Sequence, residues 1–96
     1  MDKLGIRERR RIVVSGKVQG VAFMLWVRNV ANSLELVGSV SNLPDGSCEV
    51  IVQGERSLIK QFAVAMKRGP AEARVDAIEQ EYQPVDPKLA TFVVNR

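Results

Sequence analysis

The 96-residue chain contains no histidine and a single cysteine, Cys48, and both shortages limit its chemistry. Without histidine it lacks the commonest general base near neutral pH and the commonest metal ligand. No Cys/His cluster is present that would hold zinc. One cysteine forms no internal disulfide, which fits a reducing compartment. We therefore predict a cytoplasmic protein without a metal site.

Long hydrophobic runs are also missing. No apolar stretch reaches the ~18 residues typical of a membrane span, and residues 1–11 are too polar for a secretory signal. The composition, 46% hydrophobic and 26% charged, is that of an ordinary globular protein. A chain of this length buries one modest core. We predict a single domain over residues 1–96 that does not interact with membranes.

The net charge is +3, and the densest basic run is Arg7, Arg9, Arg10 and Arg11, interrupted only by Glu8. Such a run has two interpretations, a patch that binds nucleic acid or a solvated arm leading into the first strand. No aromatic side chains alternate with the arginines, as they do in many nucleic-acid-binding surfaces. We favour the arm and place it over residues 1–10.

Apolar periodicity divides the chain into alternating strands and helices. Strands are predicted at 11–15, 40–43, 48–53, 75–82 and 91–94, and helices from Val21 or Ala22 to about 34–36 and from Ser57 to Lys67. Asp45-Gly46 is a hairpin signal, and Ser57 is a candidate N-cap. The order β-α-β-β-α-β with a short extra C-terminal strand predicts an α+β ferredoxin-like sandwich. Its two helices cover one face of a mainly antiparallel sheet.

The segment between the first strand and the first helix reads G-K-V-Q-G-V-A-F-M, from Gly16 to Met24. Two glycines bracket a short loop that leads into a helix N-terminus. Free N–H groups and the helix dipole attract anions at such a position. Gln19 and Gly20 also fit an ordinary turn. We favour an anion-binding loop because a helix follows directly.

This chain resembles the acylphosphatase family from about Ile12 to its C-terminus. The family's pattern is roughly G-x-V-Q-G-V-x-F-R, then L-G-L-x-G, an aromatic residue, V-x-N and D-G. The chain matches it at Gly16 to Phe23, at Leu34, Leu36, Gly38, Val40 and Asn42, at Asp45-Gly46, Glu49-Val50 and Gln53-Gly54, and at Gly69-Pro70 and Phe92. The resemblance implies the ferredoxin-like fold and the family's activity, hydrolysis of carboxyl-phosphate bonds to a carboxylate and phosphate.

The resemblance also implies a site. The phosphate is cradled by the backbone N–H groups of Lys17, Val18, Gln19, Gly20 and Val21. Asn42 holds the attacking water, although on the residues alone a cap of the following turn is the favoured interpretation. An acyl phosphate has a good leaving group, so the chemistry needs no cofactor or metal. The expected partner is a small acyl phosphate or inorganic phosphate, bound by a monomer.

Three positions depart from the family pattern. Met24 stands where the family has a phosphate-clamping arginine, and methionine has neither a charge nor a donor. Losing an electrostatic stabiliser of this kind typically costs ~10²–10³ in rate, so hydrolysis should be weak or absent. Arg28 and Lys17 are candidate replacement cations, with a solvated surface charge as the alternative for each. Glu35 replaces a glycine expected at φ > 0, and Ser39 replaces an aromatic residue.

Two further residues have competing interpretations. Trp26 is either a wall for the acyl group, a contact for a partner or, as we favour, a residue packed beside Phe23 and Val27. Cys48 alternates with Val50 and is predicted to lie in the core rather than to act as a nucleophile. Three functions remain open: a weak acylphosphatase, a homologue that binds phosphate or a phosphorylated ligand without turnover, and a small basic nucleic-acid-binding protein. We regard the third as the least favoured.

Overall fold

The computed structural model describes residues 5–96, which form a five-stranded sheet with two helices on one face. The elements are β1 (Arg7–Lys17), α1 (Val21–Ser33), β2 (Val37–Asn42), β3 (Cys48–Glu55), α2 (Arg56–Arg68), β4 (Arg74–Gln83) and β5 (Phe92–Asn95). The strand order is β4-β1-β3-β2-β5, and every neighbouring pair is antiparallel except β2 with β5. This is the predicted α+β ferredoxin-like arrangement.

The helices cover one face of the sheet because alternate residues of the central strands are apolar and point toward them. Ile12 and Val14 of β1 and Val50 and Val52 of β3 are fully buried. The helices contribute Phe23, Met24, Val27 and Ala31 from α1 and Ile59, Phe62, Ala63 and Met66 from α2. Burying each large apolar side chain stabilises the fold by about 1.5–3 kcal/mol. Among the described residues, neither helix has the length and apolar character needed to cross a membrane.

The predicted arm over residues 1–10 is wrong for residues 7–10, because β1 already begins at Arg7. Arg10 is only 8% exposed. It forms an ion pair with Glu8 at 3.0 Å and a hydrogen bond to Gln80 at 2.9 Å, and its guanidinium lies 5.1 Å from the ring centroid of Tyr82. Partners on β1 itself and on β4 thus hold the basic run in the sheet. Residues 1–4 lie outside the described part of the chain.

Several predicted boundaries also move. Ser57 is not the N-cap of α2; that position is Glu55, and the Ser57 hydroxyl donates to the Glu55 carboxylate at 2.9 Å. Gly54 does not end β3 but lies inside it. A Cβ at position 54 would come within 2.4 Å of the Leu36 Cδ2 atom, so a larger residue there would require the Leu36 side chain to shift.

The C-terminus of α1 confirms the expectation of a positive φ at position 35. Glu35 has φ 57°, and among the described residues it is the one non-glycine with a positive φ. Its N–H donates to the Asn32 carbonyl at 3.0 Å, and the Leu36 N–H donates to the Ala31 carbonyl at 2.9 Å. These two bonds form a Schellman motif. The motif turns the chain from α1 into β2 with a residue that has to adopt a left-handed conformation.

Candidate active site

The loop between β1 and α1 is shaped by the two glycines that bracket it. At Gly16 the pairing of β1 with β4 shifts register, and φ is 130°. A Cβ there would lie 2.1 Å from the Arg74 carbonyl oxygen. Gly20, the N-cap residue of α1, has φ 110° and ψ 163°, a conformation that only glycine adopts without strain. The loop therefore depends on glycine at both ends.

The loop and the first turn of α1 carry unpartnered backbone donors. Within residues 5–96, the amides of positions 18–23 donate no backbone hydrogen bond outside the helices and strands, and α1 has no side-chain cap. The first N–H groups of a helix have no acceptor inside it. Together with the positive end of the helix dipole, they are suited to bind an anion. Of the five predicted cradle amides, those of residues 18–21 are in this group, whereas Lys17 is the last residue of β1 and pairs with Arg74.

Gln19 fastens this loop to the β2–β3 turn. Its side-chain amide donates to the Leu43 carbonyl at 3.2 Å and to the Ser47 carbonyl at 3.4 Å. The turn itself is tied by Asp45, whose carboxylate accepts the N–H and the hydroxyl of Ser47. The same two bonds lower the pKa of Asp45. As a result, the loop and the turn are held as two sides of one cleft.

Asn42 is at the end of β2, immediately before that turn, and is exposed. No described residue hydrogen-bonds to its side chain. The turn-capping bonds come from Asp45 and Ser47 instead, which removes the support for Asn42 as a turn cap. Its side-chain amide is therefore available to a water or ligand.

Two clefts adjoin the loop. The first, which we call the phosphate cleft, has a volume of about 500 Å³ and lies between the loop and the β2–β3 turn, lined by Gly16, Lys17, Val18, Gln19, Gly46 and Glu72. The second, the aromatic cleft, has a volume of about 280 Å³ and lies between α1 and the α2–β4 connection, lined by Lys17, Gln19, Ala22, Phe23, Trp26, Pro70, Glu72 and Ala73. Because Lys17, Gln19 and Glu72 line both, the two clefts are adjacent.

The structure separates the two candidate cations. Lys17 is exposed and lines both clefts. Arg28 lines neither of them, and its guanidinium donates to the Asn29 side chain at 3.4 Å. Met24 is 2% exposed and belongs to the same core cluster as Val18 of the loop. Lys17 therefore lies at both clefts and Arg28 at neither, and the residue at the position of the family's arginine is buried and apolar.

Trp26 fits two of the interpretations given to it. Its ring centroid is 5.6 Å from that of Phe23, with the ring planes tilted by 39°, so it packs beside Phe23 as expected. The same side chain also lines the aromatic cleft.

Cys48 is confirmed as a core residue. It is fully buried, and desolvation, with a smaller contribution from the charge of Glu49, raises the pKa of its thiol to about 12. A thiol that stays protonated at neutral pH is a poor nucleophile.

Sequence reasoning missed two residues of the site. The resemblance implies only a backbone role for Gln19, whereas its side chain donates to carbonyls 24 and 28 residues away. Glu72, at the edge of both clefts, lies in a connection with no motif that would single it out.

Two of the four arginines of the basic run, Arg10 and Arg11, form ion pairs with carboxylates. Arg11 forms ion pairs with Glu49 and with Glu81, the latter at 3.2 Å, and Arg10 is paired with Glu8. A surface that binds the phosphates of nucleic acid needs cations that are free to contact them. These pairs weigh against that use of the run.

The comparisons with known proteins agree with this geometry. The family model described as acylphosphatase matches residues 10–94. An acylphosphatase from Anaeromyxobacter dehalogenans is 47% identical over 81 residues, which cover 84% of this chain and 85% of that protein. The crystal structure of an acylphosphatase from Bacillus subtilis superposes with a TM-score of 0.87 at 29% identity, covering 93% of this chain and 99% of that one. An acylphosphatase structure from Coxiella burnetii gives 0.86 at 36% identity, with 93% of each chain covered. The chain belongs to the acylphosphatase family, whose function is the hydrolysis of acyl phosphates.

Proposed function

We propose that this protein binds the phosphate of an acyl phosphate on the amides of residues 17–21 and hydrolyses the carboxyl-phosphate bond only weakly. The observation that carries the proposal is the pairing of two features. Within residues 5–96, the amides of positions 18–23 donate no backbone hydrogen bond outside the helices and strands, while Met24, at the family's arginine position, is buried and uncharged. The backbone half of a phosphate site is therefore retained and its charged half is lost.

In the proposed reaction, a water molecule held by the Asn42 side chain attacks the phosphorus atom. The new P–O bond forms as the bond between phosphorus and the carboxylate oxygen breaks, and the water releases its protons to solvent. The carboxylate is a weakly basic leaving group, so no general acid is needed. Negative charge spread over the phosphoryl oxygens is stabilised by the loop amides, which are fixed in position before the reaction.

Lys17 is the proposed residual cation at this site, because it lines the phosphate cleft. A lysine ammonium attracts phosphate as a point charge but does not form the bidentate contact of an arginine. Glu72 lines the same cleft and opposes an anion. Arg28 would have to leave Asn29 to take part. We therefore expect Lys17 to contribute to phosphate affinity more than Arg28 does.

The decisive experiment compares acetyl phosphate hydrolysis by the wild type and by Met24→Arg. We expect kcat/KM to rise by about 10²-fold or more, because one such electrostatic stabiliser is worth roughly that much. Met24→Gln, similar in length but uncharged, and Val64→Arg, which adds the same charge at an exposed position of α2, are the controls and should stay near the wild-type value. Equal activity in the wild type and Met24→Arg would refute the proposal that Met24 limits the reaction.

The alternative is a phosphate-binding homologue without turnover, and the buried Met24 is the observation that favours it. The two functions are separated by the wild type itself. A weak acylphosphatase releases phosphate from acetyl phosphate faster than the same solution without protein. A pure binder shows phosphate affinity by titration calorimetry and no release above that background.

Phosphate binding by the Lys17→Ala and Arg28→Ala variants shows which of these two residues replaces the missing arginine. Lys17→Ala should weaken phosphate binding by about 10-fold, the expected loss for one charge-assisted contact. Arg28→Ala should change it by less than about two-fold. The reverse ranking would make Arg28 the replacement cation.

We also propose that the protein is a cytoplasmic monomer with one domain. The unpaired, buried Cys48 supports a reducing compartment. In the described part of the chain, the strands and both helices share one core cluster, which supports one domain.

A further inference from the structure

A groove lies at the end of α1 that is far from the phosphate loop. It has a volume of about 440 Å³ and runs between the C-terminus of α1 and the start of β5. Because α1 has 13 residues, this end is ~20 Å from the helix N-terminus at the loop. We call it the helix-end groove. It shares no lining residue with the phosphate cleft or the aromatic cleft.

Glu35, which lines this groove, is disfavoured at its position for two independent reasons. Its φ of 57° is a left-handed conformation that glycine adopts at lower cost. Its carboxylate also follows the C-terminus of α1, the negative end of the helix dipole, where a cation is favoured. The last turn of α1 has no basic residue, and within residues 5–96 the Glu35 side chain forms no ion pair or hydrogen bond. Uncompensated local conflicts of this kind are concentrated at functional sites.

Asn32 and Thr91 add two polar side chains to the helix-end groove, one from α1 and one from the residue before β5. Both are exposed, and neither side chain has a hydrogen-bond partner in the described part of the chain. With the Glu35 carboxylate, the Asn32 carbonyl oxygen and the Thr91 hydroxyl oxygen provide three acceptors. A primary ammonium has three N–H donors and no acceptor, so it matches this set.

The rest of the helix-end groove is apolar, lined by Leu36, Val37, Ala90 and Phe92. Leu36 and Phe92 belong to the core and are only 2% and 8% exposed, so this floor is already formed without a ligand. Among the described residues, Glu35 is the one charged residue that lines the groove. A single carboxylate beside apolar side chains does not suit Ca²⁺ or Mg²⁺, which need about six or more oxygen ligands. One positive charge on an apolar body fits instead.

We infer that the helix-end groove binds a primary ammonium attached to an apolar body, such as a protonated alkylamine, with the ammonium on Glu35. The bound cation compensates both the carboxylate and the negative end of the helix dipole. Glu35 thereby has a role that a glycine at this position would not supply. The inference does not depend on phosphate binding by the loop, because the two sites have no residue in common.

A titration of the ¹⁵N-labelled protein with hexylammonium chloride, at neutral pH and constant ionic strength, tests the inference. We expect saturable shifts of the backbone amides of residues 35–37 and 90–92, with a Kd of roughly 1–10 mM for so small a ligand. 1-Hexanol has the same chain without the charge. Hexyltrimethylammonium keeps the charge without the N–H donors. Each should bind about 10-fold more weakly, because it lacks the charge-assisted hydrogen bonds.

Variants assign the binding to Glu35. Glu35→Gln keeps the size of the side chain without its charge and should weaken hexylammonium binding by about 10-fold. Glu35→Gly should do the same in a protein whose helix end is less strained, so the loss cannot be attributed to misfolding. Thr91→Val removes one acceptor and should weaken binding by about three-fold. Glu79→Gln, which removes an exposed carboxylate on β4, is the matched control and should leave the affinity unchanged.

Several results would overturn the inference. Equal hexylammonium affinity of the wild type and Glu35→Gln would deny Glu35 its role. Equal affinity of the wild type for hexylammonium and 1-hexanol would make the groove a purely apolar site, and equal affinity for hexyltrimethylammonium would exclude a preference for primary ammonium. Saturable shifts centred away from residues 35–37 and 90–92, or no saturable shift, would exclude the groove as the site. Because phosphate is absent from this titration, none of these results bears on the proposed function.

Discussion

Replacing Met24 by arginine should make the stability of this protein depend on phosphate. Met24, in the first half of α1, is 2% exposed and belongs to the same core cluster as Val18 of the loop. A guanidinium placed there without a partner is an uncompensated buried charge, which typically costs about 3–5 kcal/mol. A small domain has about 5–15 kcal/mol of stability in total. We therefore expect Met24→Arg to remain folded but to be markedly less stable than the wild type in phosphate-free buffer.

Phosphate should restore much of the stability that Met24→Arg loses, because an anion on the loop amides pairs with the new guanidinium. A ligand at 100 times its Kd stabilises the folded state by about 2.7 kcal/mol. If the wild type binds phosphate 100-fold more weakly, the same concentration stabilises it by only about 0.4 kcal/mol. The expected difference of about 2 kcal/mol is large enough to measure.

Urea unfolding followed by the fluorescence of Trp26, the one tryptophan in the chain, measures both effects. The titrations are run with and without phosphate, with sodium chloride holding the ionic strength constant. Met66→Arg is the matched control, since Met66 is fully buried in the same core but on α2. Phosphate should not restore the stability of the Met66→Arg variant. Equal stabilisation of the wild type, Met24→Arg and Met66→Arg by phosphate would refute the reasoning.

Three further predictions concern single side chains. Glu35→Gly should raise the free energy of unfolding by about 0.5–1 kcal/mol, because the left-handed conformation costs a non-glycine more than glycine loses in entropy; a decrease in the urea midpoint would contradict this. Burial raises the pKa of Cys48 from 9.0 to about 12, so only the unfolded chain loses this proton between those values. The wild type should therefore lose about 1.4 kcal/mol more stability per pH unit in that range than Cys48→Val does, and parallel pH profiles would refute the shift. Gln19→Ala releases the loop from Leu43 and Ser47 and should weaken phosphate binding by about 10-fold in calorimetry, whereas unchanged affinity would deny Gln19 a positioning role.

Patterns local in sequence predicted most of the fold. The apolar stripe of α1 and the Asp45-Gly46 turn are contained in a few consecutive residues, and both elements formed where expected. The left-handed conformation at Glu35 was also predictable, since the family pattern has glycine there. The start of β1 was not. Arg7 to Arg10 carry no strand signal of their own, and the partners that hold Arg10 lie mostly on β4, about 70 residues away.

The candidate site was predicted in part for the same reason. The glycines of the loop and the position of Asn42 follow from short motifs. The side-chain bridge made by Gln19, the proximity of Glu72 and the choice between Lys17 and Arg28 depend on which loops meet in three dimensions. The spacing of residues along the chain does not indicate which loops come into contact. The burial of Met24 likewise depends on the packing of both helices on the sheet, which the local sequence does not specify.

The most direct test of the central claim is a phosphate titration followed by the backbone amide resonances of the ¹⁵N-labelled protein. If the loop is a phosphate cradle, the amides of residues 17–23 should shift most, together with the side-chain amide of Asn42. The amides of β1 around Arg9 and Arg11 should stay in place at constant ionic strength. Shifts centred on that arginine run, or no saturable shift in the loop, would contradict the account.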